Sequence, residues 1–434
     1  MMQFFQDLGE LVEQRWRNLN YHEESFPEVA ANALDETTQS EDIDPWDIIR
    51  WVHHSPTLPL QQDLPASFGN PPITLYSGPR FHIDIYFWLD GTTSIHQHGF
   101  CGAFHVALGS SIHSRYTFNQ DREINAHFSI GSVEFDNVEL LKKGDTRRIL
   151  PGSEFIHSLF HLDRPSATIA VRTYSTPGGP QYNYLKPSFA TDPFFTEQST
   201  VRKVQTLSLL LGMDHPEAAS SVEDLVTSSD YQTTFSVLQT AAHHLRQRNL
   251  ESVFHLDTSR QRFNDLLSRA RKRHGELVDL IPPVLEEGDR QYNLTSRRSQ
   301  ITGEDHRFFL ALLLNVPCRA QTLDLVKQRC PDRDPIDAVT DWVEELSNIR
   351  VFGSSEPNVL GIDTVDDNYL FVLASMLEGL SIDQMRMRLA QEGSVDGFSA
   401  AKLGQISESI RNSFLFKSIF LDWPLIESQT AHLA

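Results

Sequence analysis

Residues 90–102 read DGTTSIHQHGFCG, a turn followed by two histidines two positions apart. Side chains two positions apart on a β-strand point to the same face, so His96 and His98 are predicted to project side by side. Two imidazoles on one strand can share a metal ion that lies about 2 Å from each ring nitrogen. A third ligand has to come from a neighbouring strand, and the candidate is His157, which follows the turn at Pro151 and Gly152.

The sequence around these histidines has the period of β-strands. From about residue 73 to residue 175 apolar and polar residues alternate, as in FHIDIYFWL at 81–89, and a period of two is typical of strands with two unlike faces. Turn residues recur at short intervals up to PGGP at 177–180. Several short strands within roughly 100 residues predict a sandwich or a barrel.

Helical spacing flanks this β region. Residues 1–72 predict short helices with an acidic loop at 35–44, and prolines between 56 and 72 mark a boundary. After residue 180, apolar residues three and four positions apart predict a large helical region. The predicted domains are therefore a helical segment at 1–72, a β-barrel at 73–180 and a helical region at 181–434. Pro282, Pro283 and the polar stretch 293–299 predict an interruption of the helices, so this last region is divided near 282–300. Three short helices between 303 and 346, followed by extended residues 350–352, resemble a winged-helix module.

The composition limits the classes of function. A net charge of −21 argues against sequence-independent nucleic-acid binding, and no apolar run approaches the roughly 20 residues that span a bilayer. Three cysteines are too few for a disulfide framework. The amino terminus lacks the basic start and cleavage site of a signal peptide, so we expect a cytoplasmic protein.

Residues 75–177 resemble the cupin superfamily. Its two motifs are a glycine with His-x-His and a later glutamate, and then Gly…Pro-x-Gly…His. Gly144, Pro151, Gly152 and His157 resemble the second motif, with Pro151 and Gly152 adjacent here. The resemblance implies a double-stranded β-helix barrel. Together with the helices predicted from apolar spacing, the expected fold is an α+β protein with N-terminal helices and a large C-terminal helical region. The family's glutamate would fall near Gly102, where no acid stands. The implied site is therefore three histidines without a carboxylate.

Within the cupins, this stretch is similar to the cysteine dioxygenase group of thiol dioxygenases. SIHQH at 94–98 matches that group, and YSTP at 174–177 resembles its Tyr-Ser-Pro-Pro. The resemblance implies Fe(II), with another divalent transition metal as the alternative, and a catalytic Tyr174 that donates a hydrogen bond or a proton near the metal. The group's Ser-x-His before this tyrosine is replaced by Ala170 and Arg172.

Arg172 should share a strand face with Tyr174, so we predict that it grips a carboxylate or phosphate of the substrate. The group's carboxylate-binding arginine has two further candidates here, Arg80 and Arg115. Cys101, beside the histidines, is either a reactive thiol, a fourth ligand or an inert buried residue. The other histidines of the barrel segment, His105, His113 and His161, are predicted to lie behind the ligands or at the surface, and His161 is the first candidate for contact with a ligand.

The leading hypothesis is a dioxygenase that oxidises a small chelating, thiol-bearing substrate with O2. One alternative is another three-histidine cupin oxygenase, which cleaves a carbon–carbon bond in a diketone or enediol. A second is a non-catalytic metal- or ligand-binding sensor or scaffold that contacts a protein partner through the helical region. A 2-oxoglutarate hydroxylase fits less well, because that class has an acid where His98 stands.

Overall fold

A computed structural model of the protein describes residues 2–40, 43–65, 68–175, 181–249, 258–350, 356–391 and 399–420. These residues form a β region of two sheets, preceded by helices and followed by a large helical region. The predicted mixed architecture, with helices concentrated at the two ends of the chain, is confirmed. Within the described ranges, no helix combines the length and the apolar character needed to cross a membrane.

The first part of the chain folds into three helices, α1 (Met2–Asn18), α2 (Phe26–Ser40) and α3 (Pro45–His54). The Asp44 carboxylate begins α3 by accepting a hydrogen bond from the Trp46 backbone amide. The predicted loop at 35–44 is wrong over its first six residues, because α2 continues to Ser40. The apolar face of α2, which includes the buried Ala33 and Leu34, packs on the β region. That packing outweighs the polar composition of the last turns.

The described residues contain eleven strands. Their bounds are β1 (Pro72–Ser77), β2 (Phe81–Trp88), β3 (His96–His98), β4 (Gly102–Leu108), β5 (Ser110–Asn125), β6 (Phe128–Lys142), β7 (Thr146–Ile149), β8 (Gly152–His161), β9 (Ser166–Thr173), β10 (Asn183–Leu185) and β11 (Phe189–Thr191). Five strands form one sheet in the order β1-β2-β9-β4-β7. The other six form a closed barrel in the order β10-β11-β6-β5-β8-β3, since β10 also pairs with β3.

Apolar side chains of both sheets meet in a core between them. Tyr86 and Phe104 of the five-stranded sheet pack with Phe155 and Leu159 of β8. Helices α1 and α2 cover the opposite face of the five-stranded sheet. Every residue of β2 is therefore buried, including the polar residues whose side chains face the inter-sheet core.

Eleven further helices follow within the described residues. Their bounds are α4 (Gln198–Gly212), α5 (Ala218–Ser228), α6 (Tyr231–Asn249), α7 (Thr258–His274), α8 (Ile281–Ser296), α9 (Glu304–Asn315), α10 (Arg319–Arg329), α11 (Pro335–Ser347), α12 (Asp367–Glu378), α13 (Ile382–Gln391) and α14 (Ala400–Asn412). Helices α4 to α8 share a core with Phe128 and Phe189 of the six-stranded barrel. Helices α9 to α14 share another core with Ile112 and Phe160 on the outer face of that barrel.

Two features predicted from the sequence, an interruption at 282–300 and a winged-helix module, fall in this helical region. The predicted interruption at 282–300 is wrong as secondary structure, because α8 occupies most of it. Pro282 and Pro283 lie in the first turn of α8, where their missing amide hydrogens have no partner to lose. The three helices of the predicted winged-helix module are α9 to α11, but residues 351 and 352 of its extended segment lie outside the described residues. The domain boundaries remain proposals.

Candidate metal centre

Three histidines from two paired strands meet in the space between the sheets. Strand β3 pairs antiparallel with β8, and His96 lies directly opposite His157 in this register. His98 stands two residues further along β3 and shares the face of His96. All three side chains are buried, and a ring nitrogen from each lies within 4.8 Å of the other two. The structure thus brings together the three residues predicted as metal ligands.

The spacing of the ring nitrogens fits a metal ion. Nε2 of His98 and Nε2 of His157 are 2.9 Å apart. Two nitrogens that each lie about 2.1 Å from one ion, at a right angle, are about 3 Å apart. Among the described residues, the cluster includes no carboxylate. Imidazole nitrogen binds iron, nickel, copper and zinc, so this donor set suits a divalent transition metal without selecting one.

Hydrogen bonds behind the rings decide which nitrogen carries the proton. Nδ1 of His96 lies 2.8 Å from the carbonyl oxygen of Ser94. A carbonyl oxygen can only accept, so Nδ1 donates and Nε2 of His96 keeps its lone pair. Nδ1 of His157 lies 3.0 Å from Nε2 of His113. The direction of this second hydrogen bond depends on what His113 contacts on its other side.

His113 links His157 to a carboxylate. Nδ1 of His113 lies 2.8 Å from Oε1 of Glu139, and Glu139 also accepts hydrogen bonds from Arg147 at 2.6 to 3.1 Å. Burial alone would raise the pKa of Glu139, but the hydrogen bonds from His113 and Arg147 bring it to about 2. Glu139 is therefore an acceptor at neutral pH. His113 donates to it and accepts from Nδ1–H of His157, which leaves Nε2 of His157 with a lone pair.

The three candidate ligands are neutral at neutral pH. Burial lowers the pKa of His96. Burial, together with nearby positive charge, also lowers the pKa values of His98 and His157 well below their ordinary value. Neutral imidazoles offer their lone pairs to a metal ion without first losing a proton.

Arg172, predicted as a catalytic residue, lies close to His98. It shares the inner face of β9 with Ala170. Its guanidinium carbon stacks 4.4 Å above the Phe100 ring, and the centre of that ring is 4.6 Å from the centre of the His98 ring. Nε of Arg172 is buried without a hydrogen-bond partner in the described part of the chain. This nitrogen faces the Asp84 carboxylate at 3.5 Å, and the guanidinium lies on the side of the site that β9 forms.

Asp84 is a buried carboxylate beside Arg172 that sequence reasoning did not single out. Its Oδ2 lies 3.5 Å from Nε of Arg172, and it accepts hydrogen bonds from Thr74 and Tyr86. Burial alone would raise the pKa of Asp84, but contact with His82, the charge of Arg172 and the Thr74 hydroxyl lower it. Asp84 therefore holds a negative charge that positions Arg172.

Tyr174, the other predicted catalytic residue, lies at the turn between β1 and β2. Its hydroxyl donates to the carbonyl oxygen of Gly78 at 2.7 Å and lies 3.1 Å from the Ser77 hydroxyl. Its ring packs 4.8 Å from that of His82, and 39% of the residue is exposed. In this conformation the hydroxyl is engaged by the turn, so the role of Tyr174 stays a prediction.

Arg115 reaches the site from the barrel side. It lies directly opposite His157 in the pairing of β5 with β8. Its guanidinium carbon stacks 4.2 Å above the Phe155 ring, and its Nε is buried with no hydrogen-bond partner in the described ranges. Arg80, the other candidate from the sequence, is exposed and stacks on Tyr21. Of these two arginines, Arg115 is the one that lies beside a candidate ligand.

Two other candidates lie elsewhere. The Cys101 side chain is buried in the core that α1 and α2 form on the outer face of the five-stranded sheet. His161 stacks 4.5 Å from Trp88, and its Nδ1 lies 2.9 Å from the Ser111 hydroxyl. It is His113, and not His161, that contacts a candidate ligand directly. Because His113 and Arg115 are two residues apart on a strand, the sequence alone indicates that they share a face. This spacing could have identified them as two residues that approach the site together.

Comparison with known proteins adds little to this geometry. No protein-family model matches the sequence, and no curated protein matches it. Among solved structures, the chain is similar to one from the crystal structures of the DMSP lyases RdDddP and RnDddQII, at 13% sequence identity. That match covers 37% of this chain and 78% of the other, with a TM-score of 0.18. A likeness at this level carries no argument about activity.

Proposed function

We propose that the protein is a metal-dependent cupin dioxygenase that holds non-haem Fe(II) and oxidises a small chelating, thiol-bearing substrate with O2. The observation that carries this proposal is the buried cluster of three neutral histidines. The choice of iron and of the cysteine dioxygenase type comes from the sequence resemblance. Another divalent transition metal is the alternative.

His96, His98 and His157 would hold the ion. When bound, Fe(II) supplies open coordination positions at which a chelating substrate and O2 can meet. Because the cluster contains no anionic side chain, the site favours an anionic donor such as a thiolate. Glu139 and His113 keep the proton of His157 at Nδ1, and the Ser94 carbonyl does the same for His96. These contacts hold the rings in a fixed orientation and tautomer.

Two arginines are suited to bind a second anionic group of the substrate. Arg172 approaches from the five-stranded sheet, where its Nε faces Asp84 at 3.5 Å. Arg115 approaches from the barrel, and its buried Nε has no hydrogen-bond partner in the described part of the chain. An unpaired buried N–H costs free energy that a substrate carboxylate would recover. A guanidinium can also form two parallel hydrogen bonds to one carboxylate, a bidentate contact. We assign substrate binding to this pair.

Tyr174 is proposed as a hydrogen-bond donor or acid for bound oxygen. Because its hydroxyl donates to Gly78 in the described conformation, this role requires its side chain to rotate away from the turn. The engaged hydroxyl is also the observation that favours the alternative oxygenase, which would cleave a carbon–carbon bond in a diketone or enediol. That chemistry does not depend on the tyrosine of the thiol dioxygenase group.

A sensor or scaffold is the alternative from another class. Helices α4 to α14 pack in two cores against the outer face of the barrel, and a catalytic β region alone does not need them. In this alternative the histidines bind a metal without turnover, and the helices contact a protein partner. The two classes differ in one observable property, which is the consumption of O2.

Oxygen uptake after anaerobic loading with Fe(II) tests the proposal. The substrates are cysteine, cysteamine as a thiol without a carboxylate, and acetylacetone as a diketone. We expect thiol-dependent uptake that disappears in His157→Ala and persists in His105→Ala, a matched control for a buried histidine outside the cluster. Uptake with acetylacetone alone would favour the second oxygenase. Bound metal without uptake from any substrate would favour the sensor.

A further inference from the structure

A second cavity lies outside the histidine site, between the six-stranded barrel and helices α8 and α9. Its volume is about 670 Å³, which is within the range of roughly 300–1,000 Å³ for small-molecule sites. On the barrel side it is lined by residues 92–95, Tyr116, Ser158 and Lys186, and on the helical side by Gly288, Gln291, Tyr292, Thr295, Arg298 and Asn315, among others. The three histidines do not line it. We call it the barrel–helix cleft.

The lining of the barrel–helix cleft consists mainly of hydrogen-bonding side chains. Hydroxyl groups come from both walls, for example from Ser94 and Ser158 on the barrel and from Thr295 on α8, and amide groups come from Gln291 and Asn315. Neutral donors arranged around a cavity satisfy the oxygen atoms of a polar ligand. Several of these donors are already engaged within the protein, for example Ser158 with Asn315 and Thr295 with the carbonyl oxygen of Gln291, so the charged groups of the cleft carry the argument for a ligand.

The charge at one end of the cleft is positive. Asp90 is the acid there, and three arginines surround its carboxylate. The nitrogen–oxygen distances are 3.0 Å to Arg307, 3.3 Å to Arg164 and 3.6 Å to Arg298. One carboxylate offsets only one of these three guanidinium charges. The excess positive charge attracts an anion, and the partly enclosed surroundings weaken the screening by water.

Arg298 is the buried arginine that lines the positive end of the cleft. It is 4% exposed and donates to the carbonyl oxygens of Gly91 and His161. Its Nε makes no hydrogen bond within the described ranges but faces the Asp90 carboxylate at 3.6 Å, so Arg298 contributes positive charge to this end of the cleft and not a free donor. Burial and the charge of Arg307 lower the pKa of Arg298 to about 10, so it is still a cation at neutral pH. An oxyanion in the cleft would neutralise this charge.

Lys186 supplies a second cation on the barrel wall. Its ammonium group lies 5.3 Å from the centre of the Tyr116 ring, and it lines the cleft together with Arg298. Glu287, an acid on the neighbouring turn of α8, is already paired with Arg290 at 2.7 Å. The charge of Lys186 also acts on Glu287 and helps to lower its pKa, and the ammonium group contributes positive charge to the wall of the cleft.

Gly288 borders the cleft on its helical wall. It lies in the middle of α8, and a Cβ built at this position would meet no atom within 4 Å. A larger side chain can therefore be introduced at residue 288 without displacing a packed neighbour, which makes this position a probe of the occupancy of the cleft.

We propose that the barrel–helix cleft binds a small polar metabolite that carries a carboxylate or phosphate group, held by Arg298 and Lys186. The ligand would rest against residues 92–95. The carbonyl oxygen of Ser94 in this segment accepts the hydrogen bond of His96 Nδ1. A ligand in the cleft therefore contacts the segment that fixes one candidate metal ligand. The site itself does not depend on the proposed dioxygenase activity.

Isothermal titration calorimetry of the full-length protein tests this site. The probes are inorganic phosphate for the phosphate class, citrate for the carboxylate class, and glycerol as the neutral control. We expect at least one anion to bind in a one-to-one ratio, both to metal-loaded protein and to protein stripped of metal by a chelator and dialysed. Glycerol should not bind. The anion that binds more tightly identifies the class of ligand.

Variants separate this cleft from other anion sites. Lys186→Gln should weaken binding about tenfold or more, because it removes a charged hydrogen-bond donor. Gly288→Phe should abolish binding by filling the cleft, whereas the matched control Gly288→Ala should bind as the wild type does. The proposal is overturned if neither anion binds, if binding vanishes with the metal, or if Gly288→Phe binds as tightly as Gly288→Ala.

Discussion

Replacing His113 by phenylalanine should weaken metal binding without altering any of the three candidate ligands. Nε2 of His113 accepts the hydrogen bond from Nδ1 of His157, and a phenylalanine ring accepts nothing. His157 must then either bury an unpaired N–H group or move its proton to Nε2. In the second case it loses the lone pair on the nitrogen that lies 2.9 Å from Nε2 of His98.

The size of the effect follows from this lost hydrogen bond. An unpaired buried donor costs about 1–3 kcal/mol. Loss of an outer partner of a metal-bound histidine typically costs about 10–100-fold in affinity. These two ranges agree, because a tenfold change in affinity is about 1.4 kcal/mol. We therefore expect the dissociation constant for Fe(II) to rise about 10–100-fold in His113→Phe.

Competition with a coloured chelator under anaerobic conditions measures this change. His113→Gln is the rescue variant, because its side-chain carbonyl oxygen can accept from Nδ1–H of His157 and should preserve most of the affinity. His105→Phe is the matched control. His105 is also buried, but it follows Phe104 on the opposite face of β4 and contacts Thr146. Circular dichroism of each variant shows whether the fold is native.

Three results would refute the reasoning. One is a natively folded His113→Phe that binds Fe(II) as tightly as the wild type. Another is an equal loss of affinity in His105→Phe, which would point to a general effect of removing a buried histidine. The third is a His113→Gln variant as weak as His113→Phe, because the acceptor at that position would then be irrelevant.

Three further predictions concern the substrate, acid stability and strand packing. Arg115→Gln should raise KM for cysteine about tenfold more than for cysteamine, which lacks a carboxylate. The control Arg122→Gln, on the exposed part of the same strand, should change neither KM. Equal effects of Arg115→Gln on both thiols would contradict the assignment of Arg115 to the carboxylate. Burial and the charge of Arg298 lower the pKa of His161 in the folded protein to about 3, whereas a histidine in the unfolded chain has a pKa of about 6.5. The stability that neutral His161 contributes is therefore complete above about pH 6.5 and is lost as the pH falls towards 3. Urea denaturation measures the free energy of unfolding at about pH 7 and at about pH 4. The decrease between these pH values should be smaller in His161→Phe than in the wild type, by up to about 3 kcal/mol. Equal decreases in the two proteins would contradict this prediction. Gly102→Ala would place a Cβ 2.0 Å from the carbonyl oxygen of Val171, so the free energy of unfolding should fall by about 1–3 kcal/mol or more. The control is Gly212→Ala, whose Cβ lies in open space and should leave the melting temperature unchanged. An unchanged melting temperature in Gly102→Ala would contradict the close approach of the two strands.

Local periodicity predicted the main divisions of the fold. The period of two between residues 73 and 175 corresponds to strands β1 to β9, and the helical spacing after residue 180 corresponds to most of the later helices. The errors at 35–44 and 282–300 share a cause. In both places polar residues or prolines indicated a loop, but an apolar face packed on a neighbouring element, or a proline at a helix start, permitted a helix.

The sequence by itself determined the candidate ligands. His96 and His98 share a face because side chains alternate along any strand, and this geometry needs no tertiary information. Tertiary structure decided what surrounds them. His113 and Glu139 are 26 residues apart in sequence, and His98 and His157 are 59 residues apart. Only the register between strands brings such residues into contact. Register is fixed by the packing of whole sheets, so the hydrogen bonds behind His157, the approach of Arg115 and the barrel–helix cleft could not be read from local pattern.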